Sequence, residues 1–175
     1  QVLSIDLPEH GEREKGTNSF YPWIIVPELQ KAWEYISKRW QHISIRANSI
    51  GAWYSMLAFS DNDIEKSLFV SPILDMEHLI HNMMQWAGVT EDELSAKKTI
   101  QTDFGQTLSW KYLLYAKEHV ITQWNCDTRI LYADKDNLTE CCVVDSFADH
   151  FHCALTVMEN GEHWFHTEEQ LSFLN

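Results

Sequence analysis

Basic residues are scarce: 13 lysines and arginines stand against 26 acidic side chains, a formal charge of −13 at pH 7. A chain so acidic repels phosphate backbones and anionic membrane surfaces, which argues against nucleic acid as a partner. Cysteine is sparse too. Cys141 and Cys142 are adjacent, Cys126 and Cys153 fall near expected strand edges, and no pair has the CxxC spacing of a zinc site or redox motif. The four are expected to be reduced, mostly buried thiols. The nine histidines contain no HExxH pair, so neither a metal nor another cofactor is expected. No apolar run is long enough to span a bilayer, and residues 1–16 have neither a basic start nor a cleavage-like site, so the chain reads as cytoplasmic. Repeats, low-complexity tracts and flexible linkers are missing as well, which leaves residues 1–175 as a single domain of a size that can bury a sizeable core.

What is present is a rhythm. Five short runs, VLSIDL at 2–7, ISIRA at 43–47, SLFVS at 67–71, RILYA at 129–133 and ALTVM at 154–158, are near-continuously apolar, as strands buried on both faces are. Helical patterns lie between them: PELQKAWEYISKRW, AWYSMLAF and a final TEEQLSFL in which Thr167 and Gln170 have capping-box spacing. Strand alternating with helix predicts an α/β fold, a mostly parallel sheet with helices on both faces. The rhythm breaks at about 75–124. No strand is legible there; DMEHLIHNMMQWAG, then TEDELSAKK with Thr90 and Glu93 as a second capping box, then SWKYLLYAKEH read as helices. So long an insertion in an α/β sheet is usually functional, and it is read as a helical cap.

The chemistry begins at Ala47-Asn48-Ser49-Ile50-Gly51, where an apolar run meets a helical one. A serine hydroxyl needs a base and an exposed position before it can attack, and a sharp strand-turn-helix supplies the exposure. Only small residues fit two places before and two places after such a serine, and Ala47 and Gly51 occupy those places. The partners of a nucleophile on this kind of turn follow in the order acid, then histidine, each after a later strand. DKDNLTE follows RILYA and ENGEHWFHTEE follows ALTVM. Asp136 and His163 would then share a sheet edge with Ser49, the edge where open α/β sheets place ligands. Asp134 competes with Asp136, and either could cap a turn. His166 competes with His163 but directly precedes the Thr167 cap, which suits helix entry better.

The ordered set DLPEHGER at 6–13, ANSIG at 47–51, VSPILDM at 70–76, ILYADKDNLT at 130–139 and NGEHWF at 160–165 resembles the serine α/β-hydrolase superfamily, in its esterase, lipase and peptidase branch. The resemblance implies Ser49 as nucleophile, Asp136 as the acid of a glycine-x-x-aspartate pattern with Ala133 in the glycine place, and His163 as general base. It implies the Ile50 backbone N–H as one oxyanion donor, and a second donor from a loop that in the family precedes DLPxHGE. On that ground the 175 residues are expected to be an N-terminally incomplete α/β-hydrolase fold, the C-terminal or ordered part of a longer enzyme, with LSFLN stopping in mid-pattern.

Large apolar side chains crowd the insertion: Met83, Met84, Trp86, Phe104, Trp110, Tyr112 and Tyr115. Packing of cap against sheet is their ordinary role. Trp86, Phe104 and Trp110 are the candidates to line an acyl or aromatic pocket, because binding sites are mostly apolar with a few placed polar groups. The expected function is hydrolysis of a small or medium hydrophobic carboxylic ester by a Ser-His-Asp triad, with the small-molecule ester as partner and a homodimer left open. The rivals are a C–C bond hydrolase or peptidase on the same triad, a non-catalytic binding module or inactive fragment, and an α/β domain whose three residues do not converge.

Overall fold

The computed structural model describes residues 1–16 and 19–174. Four parallel strands form the sheet: β1 (Ser44–Asn48), β2 (Lys66–Val70), β5 (Asp127–Ala133) and β6 (Ala154–Met158), side by side in the order β1-β2-β5-β6. Register is continuous across it, Ala47 opposite Phe69 and Phe69 opposite Ile130, and Ile130 opposite Leu155. Because side chains alternate along a strand, Phe69 and Ile130 face one cluster while Leu68, Val70, Leu131 and Ala133 face another. The larger cluster is closed by α2 (Ile50–Phe59) and α6 (Cys141–Phe151). The smaller one meets Met158, Phe165 and the end of α7 (Glu168–Phe173). Apolar on nearly every side, with Ala52 to Met56 buried without interruption, α2 is the kind of helix that can only be a core element.

An earlier helix, α1 (Pro22–Ile36), starts five residues before the PELQ pattern suggested, with Pro22 in its first turn and Pro27 inside it. Proline suits a first helical position, where the missing N–H would be unpaired anyway, and the apolar Ile25 and Val26 draw that first turn into the core. Both expected capping boxes form, at Thr90 with Glu93 and at Thr167 with Gln170.

Three expectations need correction. VLSIDL is not a strand: residues 1–7 have no regular secondary structure, and Val2, Leu3 and Ile5 are 96%, 54% and 50% exposed. A strand exists only where its backbone finds a partner, and among the described residues β1 pairs on one side only, with β2. The second correction lies between β2 and β5. Besides α3 (Met76–Ala87), α4 (Glu91–Lys97) and α5 (Trp110–Glu118), that interval contains an antiparallel hairpin, β3 (Thr99–Gln101) with β4 (Thr107–Ser109). Strands of three residues leave no periodicity to read; the signal that was there is Gly105 at φ 85, the only residue type that takes such a turn without strain. Third, Cys141 and Cys142 are exposed in the first turn of α6, and only Cys126 and Cys153 are half-buried. Among the described residues no helix is long and apolar enough to cross a membrane.

An aromatic stack ties the insertion to the sheet layer. Tyr112 of α5 lies over Trp53 of α2 with ring centroids 6.1 Å apart, and its hydroxyl meets that of Tyr54 at 2.8 Å. Burial pushes both phenols well above their ordinary pKa, so the pair stays neutral and hydrogen-bonded throughout the physiological range. Tyr112→Phe removes one hydroxyl and leaves the other without its partner. Urea denaturation should show a loss of about 1 to 2 kcal/mol, and an unchanged midpoint would mean that water replaces the bond.

Candidate active site

The C-terminal edge of the sheet carries the three residues that the sequence singled out. Ser49 occupies the turn between β1 and α2 at φ 51 and ψ −127, a conformation that costs a non-glycine residue about 1 to 3 kcal/mol and persists only where its surroundings over-determine it. They do so here: Ser49 N–H donates to Val70 O at 2.9 Å, while Ser49 O accepts from Ile73 N at 3.1 Å and from Ala52 N at 3.1 Å. The small residues flanking the serine meet across this turn, since a methyl group built on Gly51 would lie 3.9 Å from the Ala47 Cβ. That distance is ordinary van der Waals contact, so the turn has room for small side chains at 47 and 51 and little more.

Asp136 follows β5 in a tight turn whose own N–H donates to Ala133 O at 3.0 Å. Its Oδ1 accepts from the backbone N–H groups of Leu138 at 2.8 Å and Thr139 at 3.1 Å, and its Oδ2 accepts from His163 Nδ1 at 2.7 Å. Three donors thus hold the carboxylate in one orientation. His163, in the loop after β6, reaches the Ser49 hydroxyl with Nε2 at 2.9 Å. A carboxylate can only accept, so Nδ1 carries the proton and Nε2 is left as the acceptor for Ser49 O–H. The side chains of His163 and Asp136 are 1% and 0% exposed, which keeps water from competing for either bond.

The rivals lie elsewhere. Asp134 is exposed. His166 pairs with Glu162 at 3.3 Å on the surface, and its backbone N–H donates to Gln170 Oε1 at the entry to α7. Ile50, the first residue of α2, presents a helix N-terminal N–H that donates to no protein acceptor among the described residues, the ordinary condition of a donor in a first helical turn.

Trp86 and Phe104 come together edge to face, centroids 6.0 Å apart, and with Val89 and Ile100 line a cleft of about 140 Å³ between α3 and the hairpin. Trp110 is half-buried against the main core. A larger cleft of about 430 Å³ runs between the start of α3, the end of α5 and α6, lined by Trp53, Leu74, His119 and Phe147 among others. Neither cleft includes Ser49, Asp136 or His163. Among the described residues, no group of three or more histidine, cysteine, aspartate or glutamate side chains could hold a metal.

Sequence reasoning missed the strap that joins nucleophile to acid. Residues 70–73 bracket the Ser49 backbone through Val70 O and Ile73 N, and Pro72 O accepts from Thr139 Oγ1 at 3.1 Å, next to the amide that holds Asp136. Tyr132 seals the same turn by donating its hydroxyl to Thr139 O at 2.8 Å. Ser71 within the strap has φ 40 and a buried hydroxyl without a hydrogen-bond partner among the described residues, a second strained position beside the first. Most of these groups are backbone atoms, which no residue pattern announces; the proline after a strand end was the one visible mark.

No protein-family model matches the sequence, and no curated protein does. Solved structures do. Est1E from Butyrivibrio proteoclasticus superposes with a TM-score of 0.69 at 15% identity, over 87% of this chain and 66% of that one. Alpha/beta hydrolase domain-containing protein 10 from mouse gives 0.62 at 14%, over 85% and 66%. The esterase domain of a Rhodothermus marinus protein gives 0.63 at 7%, over 91% and 67%. The chain spans about two thirds of the length of these proteins. At such identities the likeness lies in the path of the chain, and on that ground the chain has the α/β-hydrolase fold.

Proposed function

We propose that the protein is a serine hydrolase that cleaves a carboxylic ester through an acyl-enzyme. One observation carries the reading: a hydrogen-bonded series from Ser49 Oγ through His163 to Asp136, its members 27 and 114 residues apart in sequence. Ordinary packing has no need of a strained serine, a buried histidine and a buried carboxylate in line. One of the neighbours, the Rhodothermus marinus domain, is described as an esterase domain, which agrees with the reading at the level of the fold.

Ser49 Oγ attacks the ester carbonyl carbon as His163 Nε2 takes the hydroxyl proton. Asp136 holds the imidazole in the tautomer that can accept and stabilises the cation that forms. The carbonyl oxygen gains the negative charge, and the N–H of Ile50, in the first turn of α2, donates to it. When the bond to the alcohol oxygen breaks, His163 returns its proton to that oxygen, leaving the acyl group on Oγ. Water then repeats the sequence, His163 taking its proton, and the carboxylic acid departs as Ser49 O–H is restored. On this reading residues 75–124 are the cap and the substrate is small or medium and hydrophobic; Trp86 and Phe104 line a separate cleft, and Trp110 packs on the core.

Intact mass before and after exposure to an alkyl fluorophosphonate tests this directly. A single adduct is expected, absent from Ser49→Ala, because only a serine with an engaged base attacks phosphorus readily. An unmodified wild-type protein would favour a binding module that keeps the fold without the chemistry.

A further inference from the structure

One large side chain at the site has no role in the mechanism above. Trp164 follows His163 directly and is 74% exposed, more than Trp86 at 51%, Phe104 at 42% or Trp40 at 37%. Its indole meets the His163 imidazole edge to face, with centroids 5.1 Å apart and planes at 85°. That imidazole is almost wholly covered, so a buried ring bonded to Ser49 and an indole standing in solvent are adjacent. Single exposed apolar residues are common and ordinarily need no explanation. This one touches the group that must deliver a proton.

We propose that Trp164 is the platform on which the alcohol portion of the substrate lies, and that this portion carries a planar aromatic ring. The inference rests on the reading of Ser49 and His163 as nucleophile and base. The leaving oxygen takes its proton from His163 Nε2, so it comes within hydrogen-bond reach of that ring. The carbon attached to it is one bond further out, and Trp164 is the large side chain that borders the imidazole. An open indole face binds a flat ring better than a puckered one of equal area, because offset stacking adds to the burial of apolar surface. Charge selects further: Glu159 and Glu162 are exposed beside the loop, and Glu168 and Glu169 open α7, so the substrate is a neutral ester and not an anionic one.

The test compares benzyl acetate with cyclohexylmethyl acetate, which share an acyl-enzyme and differ in the flatness of the alcohol. The ratio of their kcat/KM values cancels any general effect of a substitution on folding or on deacylation. Wild-type protein should prefer the benzyl ester about tenfold, the factor that about 1.4 kcal/mol of stacking and contact supplies. Trp164→Phe should keep most of that preference, and Trp164→Leu, equally apolar but without a π face, should bring the ratio close to one. A wild-type ratio near one, a preference that survives in Trp164→Leu, or discrimination seen only between methyl benzoate and methyl cyclohexanecarboxylate would overturn the platform, as would turnover of neither acetate by a protein that still forms the Ser49 fluorophosphonate adduct. Failure of that adduct in the wild type removes the catalytic reading itself, and the platform with it.

Discussion

Asp136→Asn should lower kcat on any ester substrate by about 10,000-fold while leaving the circular dichroism spectrum and the urea midpoint nearly unchanged. The reason is the fixed orientation of the carboxylate. Oδ1 accepts from two backbone N–H groups, those of Leu138 and Thr139, and in asparagine only the amide oxygen can take that place. The amide NH₂ is then forced toward His163 Nδ1, where a donor now stands in the position of Oδ2. Nδ1 must become the acceptor and the imidazole proton moves to Nε2, which can no longer take a proton from Ser49. Geometry survives and the base does not. Asp134→Asn, on an exposed side chain two residues away, should change kcat less than twofold and so separates the two carboxylates that compete in the sequence. A fall of less than tenfold in Asp136→Asn would show that the buried series is structural.

Such a prediction could be framed from the sequence because a parallel sheet converts chain order into place. Three residues that each follow a buried strand arrive at one edge whatever their separation, so Ser49, Asp136 and His163 could be grouped before any contact was known. The apolar runs that became β1, β2, β5 and β6 were legible for the same reason, since strands covered on both faces need little polar alternation. VLSIDL has a similar composition and is no strand, because apolar composition by itself fixes neither burial nor a partner: Val2, Leu3 and Ile5 are exposed and the segment belongs to no sheet. What remained hidden is carried by groups without residue identity. The amides of Leu138 and Thr139, the carbonyls of Val70 and Pro72, and the turn at Ser71 would exist for many sequences. Trp164 was visible as a letter in NGEHWF, yet nothing in periodicity separates an indole packed inward from one left beside a base.

Gly161→Ala should cost about 1 to 3 kcal/mol and lower kcat/KM by a factor of about ten to a hundred, although the residue makes no hydrogen bond to any of the three among the described residues. A methyl group built there would lie 3.1 Å from the Ala133 Cβ and 3.2 Å from both Cβ and Cγ of Met158, all inside ordinary contact distance. Gly161 is not in the left-handed region of the backbone, so the cost is steric and not conformational. It falls on a joint between the two loops that hold acid and base: Lys135 N–H donates to Gly161 O at 3.0 Å and Asp134 N–H to Met158 O at 3.1 Å. Pushing Gly161 outward moves Asp136 against His163, whose 2.7 Å bond tolerates little displacement. The same contact accounts for alanine where a glycine-x-x-aspartate pattern would place glycine, because the methyl of Ala133, fully buried, occupies the space that Gly161 leaves. The double variant Ala133→Gly with Gly161→Ala carries that methyl across the joint at constant volume and should recover at least half of both losses, a coupling that thermal melts and steady-state kinetics would read together. Additive losses would mean instead that Met158, and not Ala133, sets the space at this joint.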